Sequence, residues 1–325
     1  MTSPTLQPPA PPPPMQAVML RVFLREYGAG GGNPVPLVAQ AQGMTAAQMQ
    51  AVARRYGHES AFILPPADPV NTLRLRYFVP AHEMEMCGHA TVGTLWALRQ
   101  WGAWTSPEAR IETASGIVHA RWDAALGRAW ITQPAVQVQP LDVAACRAVN
   151  DVLQSGPGAD ATAGATAGAA AGGRTAVEPL VHMVNASTSR YKTLIPMPDV
   201  ATLNGLTPKF SAVQALCDRI GSTGLYPYAV ESVDSQGSIV HARQFPRSSG
   251  YPEDAATGIA AAALWGYLAG AGTIPVGTPA VPAAATVIQG VAMGSPSAID
   301  LLPRFDPAGQ VDGCWLSGAV EWITD

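Results

Sequence analysis

The most concentrated group of chemically active side chains lies at residues 82–89, which read HEMEMCGH. Histidine, cysteine and carboxylate are all metal ligands, so the first hypothesis is a metal site, which the spacing of these residues can test. The segment lacks the second histidine of a zincin helix, and no matching ligand pair stands out elsewhere in the sequence. We therefore predict that no metal binds here and that none is required.

Two of these side chains, Cys87 and His89, flank Gly88 at the predicted start of a helix. A lone cysteine is more often a buried structural thiol than a nucleophile. A helix start stabilises a thiolate, however, and this position predicts a Cys87 pKa below the free value of about 8.5. Cys87 is thus a candidate base as well as a candidate core residue.

Two carboxylates complete the candidate chemistry. Glu59 stands in the tetrapeptide GHES, directly before the apolar run Ala61–Leu64, where desolvation would raise its pKa towards neutrality. Asp254 stands shortly before Thr257-Gly258, at a second predicted helix start. The alternatives are a solvent-exposed glutamate at a helix end and an acidic residue that only caps a helix.

Alternating strand and helix signals position these residues. Ala17–Leu24 and Leu73–Val79 predict strands, the second because apolar and charged residues alternate along it. Residues 45–56 predict a helix from a threonine cap and apolar positions at helical spacing. Helices of small residues are predicted from about Ala90 and over residues 258–269. Hairpin-like strands packed round a few helices indicate an α+β fold.

The length of 325 residues favours two domains. Residues 1–16 form a proline-rich tail that we expect to be disordered. Residues 17–134 are predicted to form the first half and residues 135–325 the second. The second half contains a Gly/Ala/Thr-rich insertion at 155–175, which we expect to be flexible, and its last strands are free to cross back to the first half.

Composition excludes several classes of function. The 19 Lys and Arg residues against 23 Asp and Glu give a net charge of −4 without a basic block, which argues against nucleic-acid binding. No apolar stretch approaches 18 residues, and the N-terminus lacks the features of a secretory signal. Four scattered cysteines without a CxxC pair argue against zinc ribbons and a disulfide scaffold. We expect a cytoplasmic protein that binds neither nucleic acid nor membranes; its oligomeric state, a homodimer included, is left open.

The two predicted helix starts share a pattern. Segments CGHATVG and ATGIA each lead into a helix of small side chains, and at an offset of 170 Gly88 aligns with Gly258 and Ala90 with Ala260. A duplication would bring two helix N-termini to one place. Their free N–H groups would then face a single anion.

Together these segments resemble the PhzF-like phenazine-biosynthesis family, within the diaminopimelate epimerase-like superfamily. The resemblance runs from about residue 17 to the end, with its motifs in the family's order. The motifs are Val22-Phe23 with Gly32-Asn33-Pro34, residues 44–54, His58-Glu59-Ser60, residues 76–80 with 87–93, Phe245-Pro246 with Glu253-Asp254 and Thr257-Gly258, and residues 289–297.

This resemblance implies two similar halves, each a barrel-like sheet wrapped round a central helix, with the active site in the cleft between them. It also implies an isomerase that needs no metal or organic cofactor and that moves a proton within a small carboxylate-bearing metabolite. Glu59 would carry the proton, and His89 and Asp254 would orient the substrate or assist protonation. The expected substrate-binding positions are Gly88, Ala90, Thr257, Gly258 and Ile259.

The sequence departs from the family pattern at His58, Ile259 and Ser295, where the family usually has a small hydroxyl residue, serine and arginine. These departures concern the substrate more than the fold. One alternative is an epimerase or racemase with Cys87 as base, although Ala255 and Ala256 stand where the superfamily's epimerases have a second cysteine. Another is a binding protein that keeps the cleft without the reaction.

Overall fold

The computed structural model describes residues 8–153, 182–235 and 237–323. The predicted insertion at 155–175 lies outside the described residues. The helices are α1 (Ala46–Tyr56), α2 (Gly88–Gln100), α3 (Val143–Leu153), α4 (Val200–Gly205), α5 (Phe210–Ile220) and α6 (Gly258–Gly270). Within the described ranges, no helix has the length and apolar character needed to cross a membrane.

The strands of the first half are β1 (Ala17–Leu24), β2 (Asn33–Val38), β3 (Ser60–Leu64), β4 (Leu73–Phe78), β5 (Glu83–Met84), β6 (Glu108–Thr113), β7 (Gly116–Asp123) and β8 (Arg128–Gln133). Those that follow are β9 (Gln137–Pro140), β10 (Val184–Ser187), β11 (Lys192–Pro196), β12 (Gly224–Val233), β13 (Gly237–Ala242), β14 (Phe245–Pro246), β15 (Ala284–Gln289), β16 (Ser297–Phe305), β17 (Val311–Ser317) and β18 (Ala319–Trp322).

Local sequence chemistry sets the ends of α1. The Thr45 side chain accepts from the backbone N–H of Gln48, and the Gln48 side chain accepts from the backbone N–H of Thr45, a capping box that satisfies two free donors. The helix ends at Gly57, whose positive φ of 71° suits a residue without a side chain. The chain then turns through Glu59 into β3, so the end of α1 fixes where that carboxylate lies.

The two halves repeat one strand order. In the first half β1–β2 is antiparallel, β2–β3 parallel, β3–β4 antiparallel, β4–β6 parallel, and β6–β7 and β7–β8 antiparallel. The series from β10 to β17, without β14, shows the same succession of antiparallel and parallel pairs. Helix α2 precedes β6, and α6 precedes the equivalent β15. The expected α+β fold of two similar halves is confirmed.

The last strands join the halves. Strand β17 pairs with β16 on one side and with β8 on the other, and β18, one residue further on, pairs with β1. Strand β9 takes the corresponding place beside β10. The C-terminal strands therefore close the sheet of the first half.

Helices α2 and α6 are central in their halves. Every residue from Gly88 to Ala97 in α2 is buried, as is every residue from Gly258 to Trp265 in α6. The small side chains allow strands to approach closely: a Cβ added at Gly93 would lie 2.7 Å from Val22 Cγ2. Both helices belong to one hydrophobic core, which packs them inside their sheets.

The proline-rich tail differs from the expectation where it is described. Residues 8–14 form neither helix nor strand, but Pro12 is buried, and the Pro9 carbonyl accepts a hydrogen bond from Trp101 Nε1 at 2.8 Å. A proline segment cannot donate to a sheet, but its carbonyls remain acceptors and its rings are apolar. This part of the tail therefore packs against the first half.

Candidate active site

A cavity of about 380 Å³ is lined by residues of both halves. The side chains and helix starts singled out from the sequence line it together, although they are far apart in the chain. They are Glu59, Cys87, Gly88, His89, Asp254, Thr257, Gly258 and Ile259. Ala90 is the exception, because it is fully buried in the core and does not line the cavity.

The first-half wall carries a compact group of Glu59, Cys87 and His89. The Cys87 thiol donates a hydrogen bond to Glu59 Oε2 at 3.0 Å, and His89 Nδ1 lies 3.6 Å from the same oxygen. From the second half, the Tyr251 hydroxyl donates to Glu59 Oε1 at 3.3 Å. Only 14% of the Glu59 side chain is exposed. The carboxylate is therefore held from both halves, with little contact to bulk water.

Burial sets the protonation of the two neighbours of Glu59. Burial lowers the pKa of His89, although the nearby negative charge of Glu59 opposes this effect. The lowered pKa favours a neutral imidazole. Burial and the charge of Glu59 raise the pKa of the Cys87 thiol well above its ordinary value. The predicted lowering of the Cys87 pKa is wrong, because desolvation and an adjacent carboxylate outweigh the helix start.

Asp254 faces the cavity from the second-half wall. Its side chain accepts from Asn33 Nδ2 at 2.8 Å, across the two halves, and from the Thr257 hydroxyl. Its backbone N–H donates to the Gln244 carbonyl at 3.0 Å. Burial, followed by the negative charge of Glu59, raises the pKa of Asp254 to about 7. Asp254 can thus exchange a proton near neutral pH.

The N-termini of the central helices meet beside these carboxylates. A Cβ built on Gly88 would lie 3.6 Å from Gly258 Cα, so the two helix starts lie close together, with room for little more than a methyl group between them. Neither Cys87 nor Thr257, the residues that precede the helices, caps its helix with a side-chain hydrogen bond. Uncapped helix starts present N–H groups and a positive dipole end, which favour an anion.

Several cavity residues were not predicted. Lys192, the first residue of β11, is 5% exposed, and burial lowers the pKa of its ammonium group to about 8. Gln244 and Arg190 line the cavity from the same half. Asn33 was noted in the family turn but not as a partner of Asp254. No local motif marks these residues, because their places depend on how strands of the second half pair.

One group of side chains has the composition of a cation site. The ligand atoms of Glu59, Cys87 and His89 all lie within 4.8 Å of one another. A metal ion bound there would have to replace the thiol proton that Cys87 donates to Glu59, and burial opposes that deprotonation. The absence of a metal requirement stays a prediction.

Comparisons with known proteins match this geometry. The sequence profile of the family described as phenazine biosynthesis-like protein matches residues 27–306. The chain is 31% identical over 294 residues to an uncharacterised isomerase of Deinococcus radiodurans, covering 88% of this chain and 87% of the relative. It is 27% identical over 259 residues to the uncharacterised isomerase YfhB of Bacillus subtilis, covering 78% and 81%.

Solved structures share the fold. A PhzF-family phenazine biosynthesis protein of Bacillus anthracis superposes with a TM-score of 0.73 at 22% identity, over 95% of this chain and 96% of that one. A probable proline racemase of Agrobacterium radiobacter gives 0.58 at 15% identity, over 95% and 91%. These likenesses confirm the diaminopimelate epimerase-like architecture. The profile match and the isomerase relatives together establish that the chain is an isomerase and belongs to the phenazine biosynthesis-like protein family.

Proposed function

We propose that this isomerase moves a proton within a small carboxylate-bearing metabolite, with Glu59 as the acid and base and no cofactor. The observation that carries the proposal is the placement of Glu59 and Asp254 in one cavity, one from each half. A proton shuttle needs groups shielded from bulk water with pKa values near the working pH. Asp254, with a pKa of about 7, suits the return or relay of the proton.

The helix starts supply the second part of the proposal. The N–H groups near Gly88 and Gly258 would bind the substrate carboxylate and stabilise the negative charge that develops when the neighbouring carbon loses its proton. His89, neutral at pH 7, would donate or accept a hydrogen bond without competing with Glu59 for the proton. The cytoplasmic location and the absence of nucleic-acid and membrane binding remain predictions. Whether the protein forms a homodimer is left open.

A second candidate is an epimerase in which Cys87 is the base. The observation in its favour is that the Cys87 sulfur lies within hydrogen-bond distance of both neighbours, at 3.0 Å from Glu59 Oε2 and 3.4 Å from His89 Nδ1. The raised thiol pKa weighs against it, because a thiol must lose its proton before it can act as a base. In addition, Ala255 and Ala256 stand at the opposite turn, where a two-thiol racemase would need its partner.

Proton exchange with solvent tests the proposed function directly. The protein is incubated in D₂O with a panel of small amino, hydroxy and unsaturated carboxylic acids, and carbon-bound deuterium is measured by NMR and mass spectrometry. We expect incorporation at one or two carbons of a panel member, unchanged by a metal chelator. Incorporation into none of the acids that bind would favour a binding protein, and loss on chelation with recovery on zinc would contradict a cofactor-free reaction.

A further inference from the structure

The cavity contains a buried cation that the proton shuttle does not use. The ammonium group of Lys192 donates to the Thr223 carbonyl at 3.3 Å, its single hydrogen bond among the described residues. Within those residues it forms no ion pair with a carboxylate. A buried charge is costly unless paired and hydrogen-bonded. The negative charges of Asp254 and Glu59 act on this ammonium group from beyond ion-pair distance. The position of Lys192 in the cavity wall therefore allows a ligand anion to pair with it directly.

The repeat of the fold explains why Lys192 lacks a partner. Lys192 begins β11, which is equivalent to β2, and β2 begins with Asn33. Asn33 crosses to the other half and donates to the Asp254 side chain and to the Ala256 carbonyl. At the offset of 170 that aligns Gly88 with Gly258, the counterpart of Asp254 is Met84, an apolar residue. The position that would pair with Lys192 by symmetry therefore has no carboxylate.

Gln244 provides an independent sign of a missing ligand. It is 1% exposed and lines the cavity, and among the described residues neither its amide nitrogen nor its amide oxygen has a hydrogen-bond partner. Leaving such an amide buried without a partner costs free energy, which a bound ligand recovers if the side chain turns towards it. Its amide packs against Gly224, where an added Cβ would fall 2.1 Å from Gln244 Nε2. Glycine at 224 thus leaves room for this side chain.

We infer that Lys192 and Gln244 form a subsite for a second carboxylate, so that the substrate is a small dicarboxylic acid. The inference rests on the proposed function, in which the helix starts near Gly88 and Gly258 hold the first carboxylate. One oxygen of the second carboxylate accepts from the Lys192 ammonium and the other from the Gln244 amide nitrogen. Arg190 lines the same cavity and adds positive potential there.

A matched pair of unreactive ligands tests the subsite without turnover. Glutarate and pentanoate have the same number of carbon atoms and differ by one carboxylate. We expect calorimetry to show that the wild-type protein binds glutarate roughly tenfold or more tightly than pentanoate. In K192M, glutarate binding should fall to the level of pentanoate, while pentanoate binding changes less than about twofold. Lys209, exposed and the only other lysine in the chain, supplies the control K209M, which should keep the wild-type preference.

Q244M tests the subsite from the amide side, including the case in which K192M does not fold. Methionine fills similar space without polar atoms, so the melting temperature of the free protein should stay or rise while glutarate binding weakens about threefold or more. Equal losses for both ligands in K192M, unchanged glutarate binding in Q244M, or no preference in the wild type would overturn the inference. Absence of deuterium exchange with every acid would instead contradict the proposed function and leave the binding preference intact.

Discussion

Gly88 and Gly258, 170 residues apart in the chain, begin two buried helices whose starts lie close together: a Cβ on Gly88 would lie 3.6 Å from the Cα of Gly258. Each half supplies one helix start and one of the two carboxylates, Glu59 and Asp254. The site therefore exists only where the halves meet. Either half alone would lack both the paired helix ends and the second carboxylate.

The close approach of the helix starts predicts that one substitution will affect function more than stability. In G88A the new methyl group would meet Gly258 and Leu316 at 3.6–3.7 Å, which is ordinary van der Waals contact. We expect the free energy of unfolding to change by less than about 1 kcal/mol, whereas deuterium exchange falls roughly tenfold or more because the methyl occupies the place of the anion. Chemical denaturation and the exchange assay measure the two effects. Full activity in a folded G88A protein would show that the anion does not bind there.

The raised pKa of Asp254 predicts that the free energy of unfolding depends on pH. Its pKa of about 7 in the folded protein lies above the unfolded value of about 3.9, so the folded state holds the proton more tightly. Ionising the buried group lowers the free energy of unfolding. This loss is absent below about pH 4, grows between about pH 4 and pH 7, and is constant above about pH 7, where it reaches up to about 4 kcal/mol. Wild-type stability should therefore fall relative to D254N across that interval. Parallel stability curves for the two proteins would show that folding does not raise the pKa of Asp254.

The ion pair next to Asp254 predicts a larger loss of stability than an exposed one. Arg243 and Glu253 form two hydrogen bonds at 2.7 and 2.9 Å, with both side chains less than 10% exposed. E253A leaves a buried guanidinium unpaired and should lower the free energy of unfolding by about 3–5 kcal/mol. The control is E83A, whose exposed pair with Arg76 should contribute less than about 1 kcal/mol. Similar losses from both variants would contradict the burial argument.

The raised pKa of Cys87 predicts a slow thiol. In the native protein at pH 7.5, Cys87 should react with iodoacetamide more slowly than a free cysteine, because little thiolate is present. Peptide mapping after timed alkylation measures the rate at each of the four cysteines. A Cys87 that reacts faster than free cysteine would indicate a stabilised thiolate and would favour the epimerase in which Cys87 is the base.

Sequence patterns were sufficient where a structure depends on neighbouring residues. Strand β1 and helix α1 have the predicted places because alternation, helical spacing and the Thr45 cap act within a few residues. Helix α3 was not predicted, although Cys146, Val149 and Leu153 are buried on one face, where they pack in a cluster shared with α5. Their spacing of three and four residues is a helical pattern, so the sequence carried a local signal for α3 of the same kind that predicts α1.

The residues of the site also differ in whether a local sequence pattern marks them. Glu59 and Asp254 were identified through motifs, and the repeated helix starts gave a reason for them to meet. Lys192 and Gln244 were not found, because what distinguishes them is the lack of a partner after the strands of the second half have paired. Ala90 does not line the cavity, and motif position alone does not tell a helix residue that faces the core from one that faces the cavity. Its role in substrate binding stays a prediction.

The most direct test of the proton shuttle compares E59Q with C87A in the deuterium-exchange assay, together with a measurement of substrate binding. Glutamine keeps the shape of Glu59 but cannot carry the proton, so binding should survive while exchange falls by roughly 10²–10⁴-fold. C87A removes the thiol and leaves the carboxylate, and should retain much of the wild-type rate. Full exchange by E59Q combined with loss of exchange in C87A would contradict the account and assign the proton transfer to Cys87.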